Sequence, residues 1–298
     1  MWTSARIGLL LVTTALTVTG VAQPASARPS PAVAAAVCGT PLSEAELDRV
    51  AALSDTAALS GDALTRLETA VANHHEITEI LSAHGDRRGL FGIGLDGVEQ
   101  VAVMPLQRDP AAFRDRDYAH AISLELLSRY LDNLHGEFTG GPVEWHWARY
   151  FAQATRCEMS GAQVAMAGYN AHLAVDLAYS VAAVNTEIDD APDYFEIVAS
   201  IAAAGDVIVD RTKAVYGADL GPLWRFYFVG EGLDLLVGKG VATKQLLIAA
   251  DLGANVVIFG NGLALRDPAL REPAAVEIRA LSDAADVAFG VLAQIHAL

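Results

Sequence analysis

Residues 160–185 read SGAQVAMAGYNAHLAVDLAYSVAAVN, and this stretch decides the fold. Small and apolar residues recur at helical spacing with no alternating strand pattern, and Ser160 stands where an N-cap belongs. The pattern predicts one long helix ending near Asn185. At its centre lies Asn170-Ala171-His172-Leu173-Ala174-Val175-Asp176-Leu177, in which His172 and Asp176 stand four residues apart and so share a helix face. Ala171, Leu173, Ala174, Val175, Leu177 and Ala178 surround them, and a carboxylate among such neighbours needs a partner. The nearest in sequence is His172. Tyr169 and Tyr179 fall on roughly the same face and are candidates to line a pocket with it. Asn170 lies on another face, suited to bonding a neighbouring helix.

The same periodicity extends outward through most of the chain, with alanine and leucine dominant. Ser43-Glu44-Ala45-Glu46 has a capping pattern, and a second helix is predicted from Gly61 or Asp62 to His84, stopped by Gly85-Asp86-Arg87-Arg88-Gly89. Further helices are predicted over Leu90 to Val103, from Asp109-Pro110 to Leu134, through Trp145, Trp147 and Phe151 with Pro142 in the first turn, and from Ala191-Pro192-Asp193 to Tyr216. An aromatic run, Trp224 to Phe228, precedes a helix from Thr243 to Phe259. Asp267-Pro268 and Pro273 introduce the last helix, which ends near His296. The sum is an all-α single domain of about eight to ten packed helices, with residues 160–187 and 240–260 as its central pair.

The N-terminus carries Arg6, an apolar run of about 16 residues from Ile7 to Ala22, and Pro24-Ala25-Ser26-Ala27, which has small residues where a signal peptidase cuts. The run falls short of the roughly 20 residues that span a bilayer. Residues 1–27 are therefore expected to be a cleaved signal peptide, 28–42 a flexible lead-in rich in Ala, Pro and Ser, and 43–298 the folded domain of a secreted protein. In an oxidising compartment the two cysteines, Cys38 and Cys157, are expected to pair. The net charge of -16 becomes more negative once Arg6 is removed. Such a surface disfavours nucleic acid and anionic membranes as partners.

Several motifs compete for a chemical role. Gly92-x-Gly94-x-x-Gly97 has dinucleotide-fingerprint spacing but lacks the preceding strand, so it predicts close helix packing and no nucleotide cofactor. Gly238-Lys239-Gly240 lacks the glycine and hydroxyl residue of a phosphate loop. His75 and Glu79, beside His74, share a helix face and offer two metal ligands, though without a His-Glu-x-x-His pattern. Glu125/Arg129, Asp206/Asp210 and Asp251/Asn255 are further pairs at helical spacing.

Gly168-Tyr169-Asn170-Ala171-His172 with Asp176-Leu177 resembles the Gly-Met-Asn-Ala-His-Ile-x-x-Asp-Leu core of a bacterial family described as domain of unknown function 5995. Arg129-Tyr130-Leu131-Asp132, Trp147 with Phe151, and Asp193-Tyr194-Phe195 add to the resemblance, which spans roughly residues 90–210. Tyr169 stands where the family pattern has methionine. The resemblance implies an all-helical single domain and brings no activity with it.

Two functions follow from the residues. One is an extracellular or envelope protein that encloses a small apolar ligand, with His172 and Asp176 as polar anchor and Tyr169, Asn170 and Tyr179 around it. The other is a secreted hydrolase using His172 and Asp176, in which a single divalent metal would draw on His172, Asp176, His75 and Glu79. The His-x-x-x-Asp spacing is similar to that of secreted zinc phospholipases C. No histidine follows His172 before His296, however, which leaves too few ligands for a multinuclear site.

Overall fold

The computed structural model describes residues 37–221 and 241–294, in the second stretch with side chains from residue 253 onward. These residues form ten helices and no strand. In chain order they are α1 (Glu44–Ser54), α2 (Ala63–Ala83), α3, α4 (Arg116–Thr139), α5 (Trp145–Ala154), α6, α7 (Ala191–Ala203), α8 (Gly205–Tyr216), α9 (Val241–Arg266) and α10 (Arg271–Gln294). Two of them are interrupted. Helix α3 is α-helical over Gly92–Val98, widens to a π-helix over Glu99–Val103 and resumes over Met104–Arg108. Helix α6 does the same, with α-helix at Gly161–Tyr169, π-helix at Asn170–Asp176 and α-helix at Leu177–Ala183.

Helix boundaries follow local chemistry. Ser43 and Glu46 form the reciprocal capping box that opens α1, and Ser160 accepts from the Gln163 N–H to open α6. Asn185, with φ of 57°, turns the chain left-handed after α6, a conformation that asparagine tolerates better than most residues.

Several expected boundaries shift. Residues 109–115 are not helical, because the Asp193 carboxylate on α7 takes the N–H groups of Arg114 and Asp115 at 2.9 and 2.7 Å and holds that backbone extended. Helix α4 begins only after Asp115, which caps it. Pro142 lies before α5, whose N-cap is Glu144; Asn133 accepts the Glu144 N–H at 2.6 Å and fixes this non-helical approach. The helix expected over 191–216 breaks at Ala204, before Gly205, a poor helix former. Helix α9 runs longer than its glycines suggest. A Cβ on Gly262 would lie 2.4 Å from Val181, so glycine is what lets α9 approach α6. The aromatic run 224–228 lies outside the described residues.

The core has two parts. One gathers Leu67, Ile77, Phe91, Tyr130, Trp147 and Tyr150 with Ala162–Ala171 of α6; the other gathers Tyr118, Ile122, Tyr194, Phe259 and Ile278 with Val175–Val181 of α6. The π-turn of α6 is where that helix passes from one to the other. Cys38 and Cys157 form a disulfide that closes a separation of 119 residues and ties the segment before α1 to the end of α5. By chain entropy alone such a loop is worth about 4–5 kcal/mol.

Candidate functional site

Helix α3 lies against α6 and α8 along its glycines, as the GxGxxG spacing predicts. A Cβ on Gly94 would fall 1.9 Å from the Tyr169 hydroxyl, one on Gly97 would fall 2.8 Å from Val207, and one on Gly168 of α6 would fall 2.5 Å from Phe91. Gly94→Ala therefore forces Tyr169 and Ile208 aside. It is expected to cost about 1–3 kcal/mol in denaturant unfolding, the usual penalty of overpacking.

This close approach puts Phe91, just before α3, at the hub of an aromatic group. Its ring centroid lies 4.9 Å from Tyr130, 5.4 Å from Trp147, 5.0 Å from Tyr169 and 5.0 Å from the His172 imidazole. On the other side of Tyr169 and His172 is a cavity of about 90 Å³ between the two parts of the core. Ten of its fifteen described lining residues are aliphatic, among them Leu95, Val98, Ile122, Leu173, Ile197 and Ile208; the others are Ser123, Tyr169, His172, Tyr194 and Asn255. Leu95 and Val98 come just before the π-turn of α3, while His172 and Leu173 lie in that of α6. Two π-turns thus flank one cavity, and π-turns inside α-helices concentrate at functional sites.

Each candidate residue has a definite place. His172 is buried at 4 % exposure, its Nδ1 has no partner, and no hydrogen bond to either ring nitrogen occurs among the described residues. Burial, assisted by repulsion from His74 and His146, pushes its pKa down to about 3, so the ring is neutral near pH 7. The buried Tyr169 hydroxyl also has no partner among the described residues, and burial raises its pKa.

His172 should weaken the fold in acid. The unfolded ring takes a proton near pH 6.5 while the folded one resists until about 3. Its contribution is complete above pH 6.5 and is lost as pH falls toward 3, at about 1.4 kcal/mol per pH unit. Urea unfolding from pH 7 to pH 4 should show this slope and lose about one proton's worth of it in His172→Gln.

The carboxylate of Asp176 is not paired with His172. His146 Nε2 donates to its Oδ1 at 2.8 Å and Trp147 Nε1 donates to its Oδ2 at 2.8 Å, both from α5. Two donors from a neighbouring helix take the place expected for His172, whose ring lies against Phe91. Burial raises the Asp176 pKa, against the opposing bonds from His146 and Trp147.

Asn170 bonds the neighbouring helix, as its face predicts. Its amide donates to the Ser282 carbonyl at 2.8 Å and to Asp286 at 2.7 Å on α10. Tyr179 lies outside the cavity, with the Arg129 guanidinium 5.8 Å from its ring centre. Asn255 reaches the cavity and accepts from the Tyr194 hydroxyl at 2.9 Å. Arg129 pairs with Glu125 at 2.8 Å.

His75 and Glu79 approach to 3.5 Å on the half-exposed face of α2, and His75 also reaches buried Asp96 at 2.9 Å. His172, Asp176, His75 and Glu79 do not converge as one ligand set. Among the described residues, the group of three potential ligands that does converge is Glu144, His146 and Asp176, whose atoms lie within 4.8 Å of one another.

Two buried features were not singled out from the sequence. His74 Nδ1 and Glu99 Oε2 meet at 2.6 Å, with Glu99 in the α3 π-turn. Burial raises the Glu99 pKa despite the neighbouring His74. Burial alone would lower the His74 pKa, but the charge and hydrogen bond of Glu99, with the charge of Asp96, outweigh it and raise it. The other is His146, flanked by Trp145 and Trp147. Glu99 was detectable as a charge in an apolar stretch that needs a partner; His146 carried no such signal.

No helix among the described residues is long and apolar enough to cross a membrane. No curated protein and no solved structure matches the chain. One family model does match, over residues 67–227, which is more than half of the chain and includes both π-turns, the aromatic hub and His172 with Asp176. The chain belongs to the family of unknown function DUF5995.

Proposed function

We propose that this is a secreted protein that binds a small, uncharged, mostly apolar molecule in the cavity between the π-turns, with His172 and Tyr169 as its polar anchors. The observation that carries the reading is a buried neutral imidazole with no hydrogen bond to either nitrogen among the described residues, at the wall of an aliphatic cavity. Leaving such a group unpaired costs about 1–3 kcal/mol, which a ligand hydroxyl or carbonyl would offset. Asp176 belongs to the frame behind this site and not to the anchor, since its oxygens are bonded to His146 and Trp147.

The lining sets the ligand's character. None of the described lining residues carries a charge at neutral pH, so a carboxylate or ammonium head would be buried without a counterion. The volume of about 90 Å³ is well below the roughly 300 Å³ of most ligand pockets and suits a molecule of a few carbons. The hydrolase alternative gains nothing from the geometry. A histidine with a pKa of about 3 is a poor general base near neutral pH, and among the described residues no aspartate orients it.

Matched four-carbon probes test the reading. Methyl NMR of the mature protein should show saturable shifts at Ile122, Ile197 and Ile208 with 1-butanol and weaker ones with butanoate or butylamine. His172→Phe should weaken butanol binding about two- to tenfold, the worth of one neutral hydrogen bond. Absence of methyl shifts with all three probes would refute binding in the cavity, and preference for either ion would refute the uncharged ligand.

A further inference from the structure

The group of Glu144, His146 and Asp176 stands apart from the cavity anchors and from the other ionic clusters. Asp96 already has Arg211 at 2.8 Å, and Asp283 has Arg149 at 2.6 Å. Among the described residues neither Glu144 nor Asp176 has an arginine or lysine partner; both face the same imidazole nitrogen. His146 Nε2 lies 2.8 Å from Asp176 Oδ1 and 3.6 Å from Glu144 Oε2.

We propose that Glu144, His146 and Asp176 hold one divalent ion of the zinc type, bridging the start of α5 to the π-turn of α6. A tetrahedral ion with ligands at about 2.0–2.1 Å spaces its donors by about 3.3–3.4 Å, and the two measured separations bracket that value. One imidazole nitrogen with two carboxylate oxygens suits zinc better than calcium or magnesium, which favour oxygen alone.

The surroundings hold two of the ligands in place. Trp147 Nε1 fixes Oδ2 of Asp176 and leaves Oδ1 toward His146, while Asn133 donates to Glu144 Oε2 at 3.3 Å. Among the described residues the His146 Nδ1 is buried without a partner, so the polar contacts of the ring are those of Nε2 with the two carboxylates. On coordination Nε2 gives its proton to solvent and its bond to Asp176 is replaced by the shared ion. Glu144 also lines an open groove of about 390 Å³ with Arg129, Asp132 and Asn133, which gives an ion a path from solvent. His146 and Asp176 are 5 % and 0 % exposed while Glu144 is half-exposed to the groove, so the three side chains leave the fourth position of a tetrahedral ion to water from that side.

The test is calorimetric titration of chelator-stripped mature protein with ZnCl2, with MgCl2 and CaCl2 in parallel. The expected result is one zinc per chain, micromolar or tighter, with a melting temperature several degrees higher at saturation and weaker binding of the other two ions. Glu144→Gln, at an exposed position that leaves the fold intact, should weaken zinc at least tenfold, and Asp176→Asn should abolish it. No zinc binding, zinc binding unchanged in Glu144→Gln, or tighter binding of calcium or magnesium would overturn the proposal.

Discussion

Phe91→Ala should lose about 3–5 kcal/mol of unfolding free energy, the range for removing a large ring from a packed core. The ring is fully buried and meets Tyr130, Trp147, Tyr150, Tyr169 and His172 by edge or tilted contacts. Such contacts contribute beyond the buried area, so the loss should fall in the upper half of that range. Gly168 packs directly on the Phe91 side chain and cannot supply atoms to refill the space. Phe91→Leu, which keeps most of the volume, should lose less than half as much in denaturant unfolding. Equal losses would mean that the ring contacts contribute little.

Asp86→Ala should be as costly, for a different reason. Arg88 is fully buried, with its guanidinium on Asp86 at 2.5 Å and 4.1 Å from the centre of the Phe138 ring; Glu137, at 3.8 Å, is more distant. Removing Asp86 strands a buried cation, which costs about 3–5 kcal/mol. It also removes the carboxylate that accepts from the Arg88 backbone N–H at 3.0 Å. Pairing Asp86→Asn with Arg88→Met keeps that backbone bond and removes the buried charge, and should recover most of the loss. The comparison is made by chemical denaturation of the three chains. A double variant as unstable as Asp86→Ala, with the backbone bond kept and the charge gone, would show that the stranded charge is not the source of the cost.

The all-helical architecture was legible because alanine and leucine periodicity is a local property, and the caps at Ser43 and Ser160 are written in adjacent residues. Boundaries failed where a distant side chain decided them. Asp193 holds the backbone of 114–115 from nearly 80 positions away, and nothing near Asp109-Pro110 announces it. The glycine spacing in α3 was read correctly as close packing because a dinucleotide site needs a strand that the preceding residues do not supply.

The site was legible in part. The burial of His172 and Asp176 follows from their apolar flanks, and the different face of Asn170 follows from helix geometry. Which partner Asp176 takes does not, because four-residue spacing defines only which groups are able to meet. Tertiary packing brought two donors, His146 and Trp147, to the carboxylate and left His172 against Phe91. The π-turns were invisible as well. An i→i+5 turn leaves little trace in a pattern of alanines and leucines.

The most direct test is the ¹⁵N signature of the His172 imidazole in the protein, followed from pH 7 to pH 4 without and with 1-butanol. The account predicts a ring that stays neutral across this range and whose nitrogen resonances move when butanol is added, as a hydrogen bond forms on a group that had none. A His172 that titrates near pH 6.5, or whose nitrogens ignore the alcohol, would contradict it.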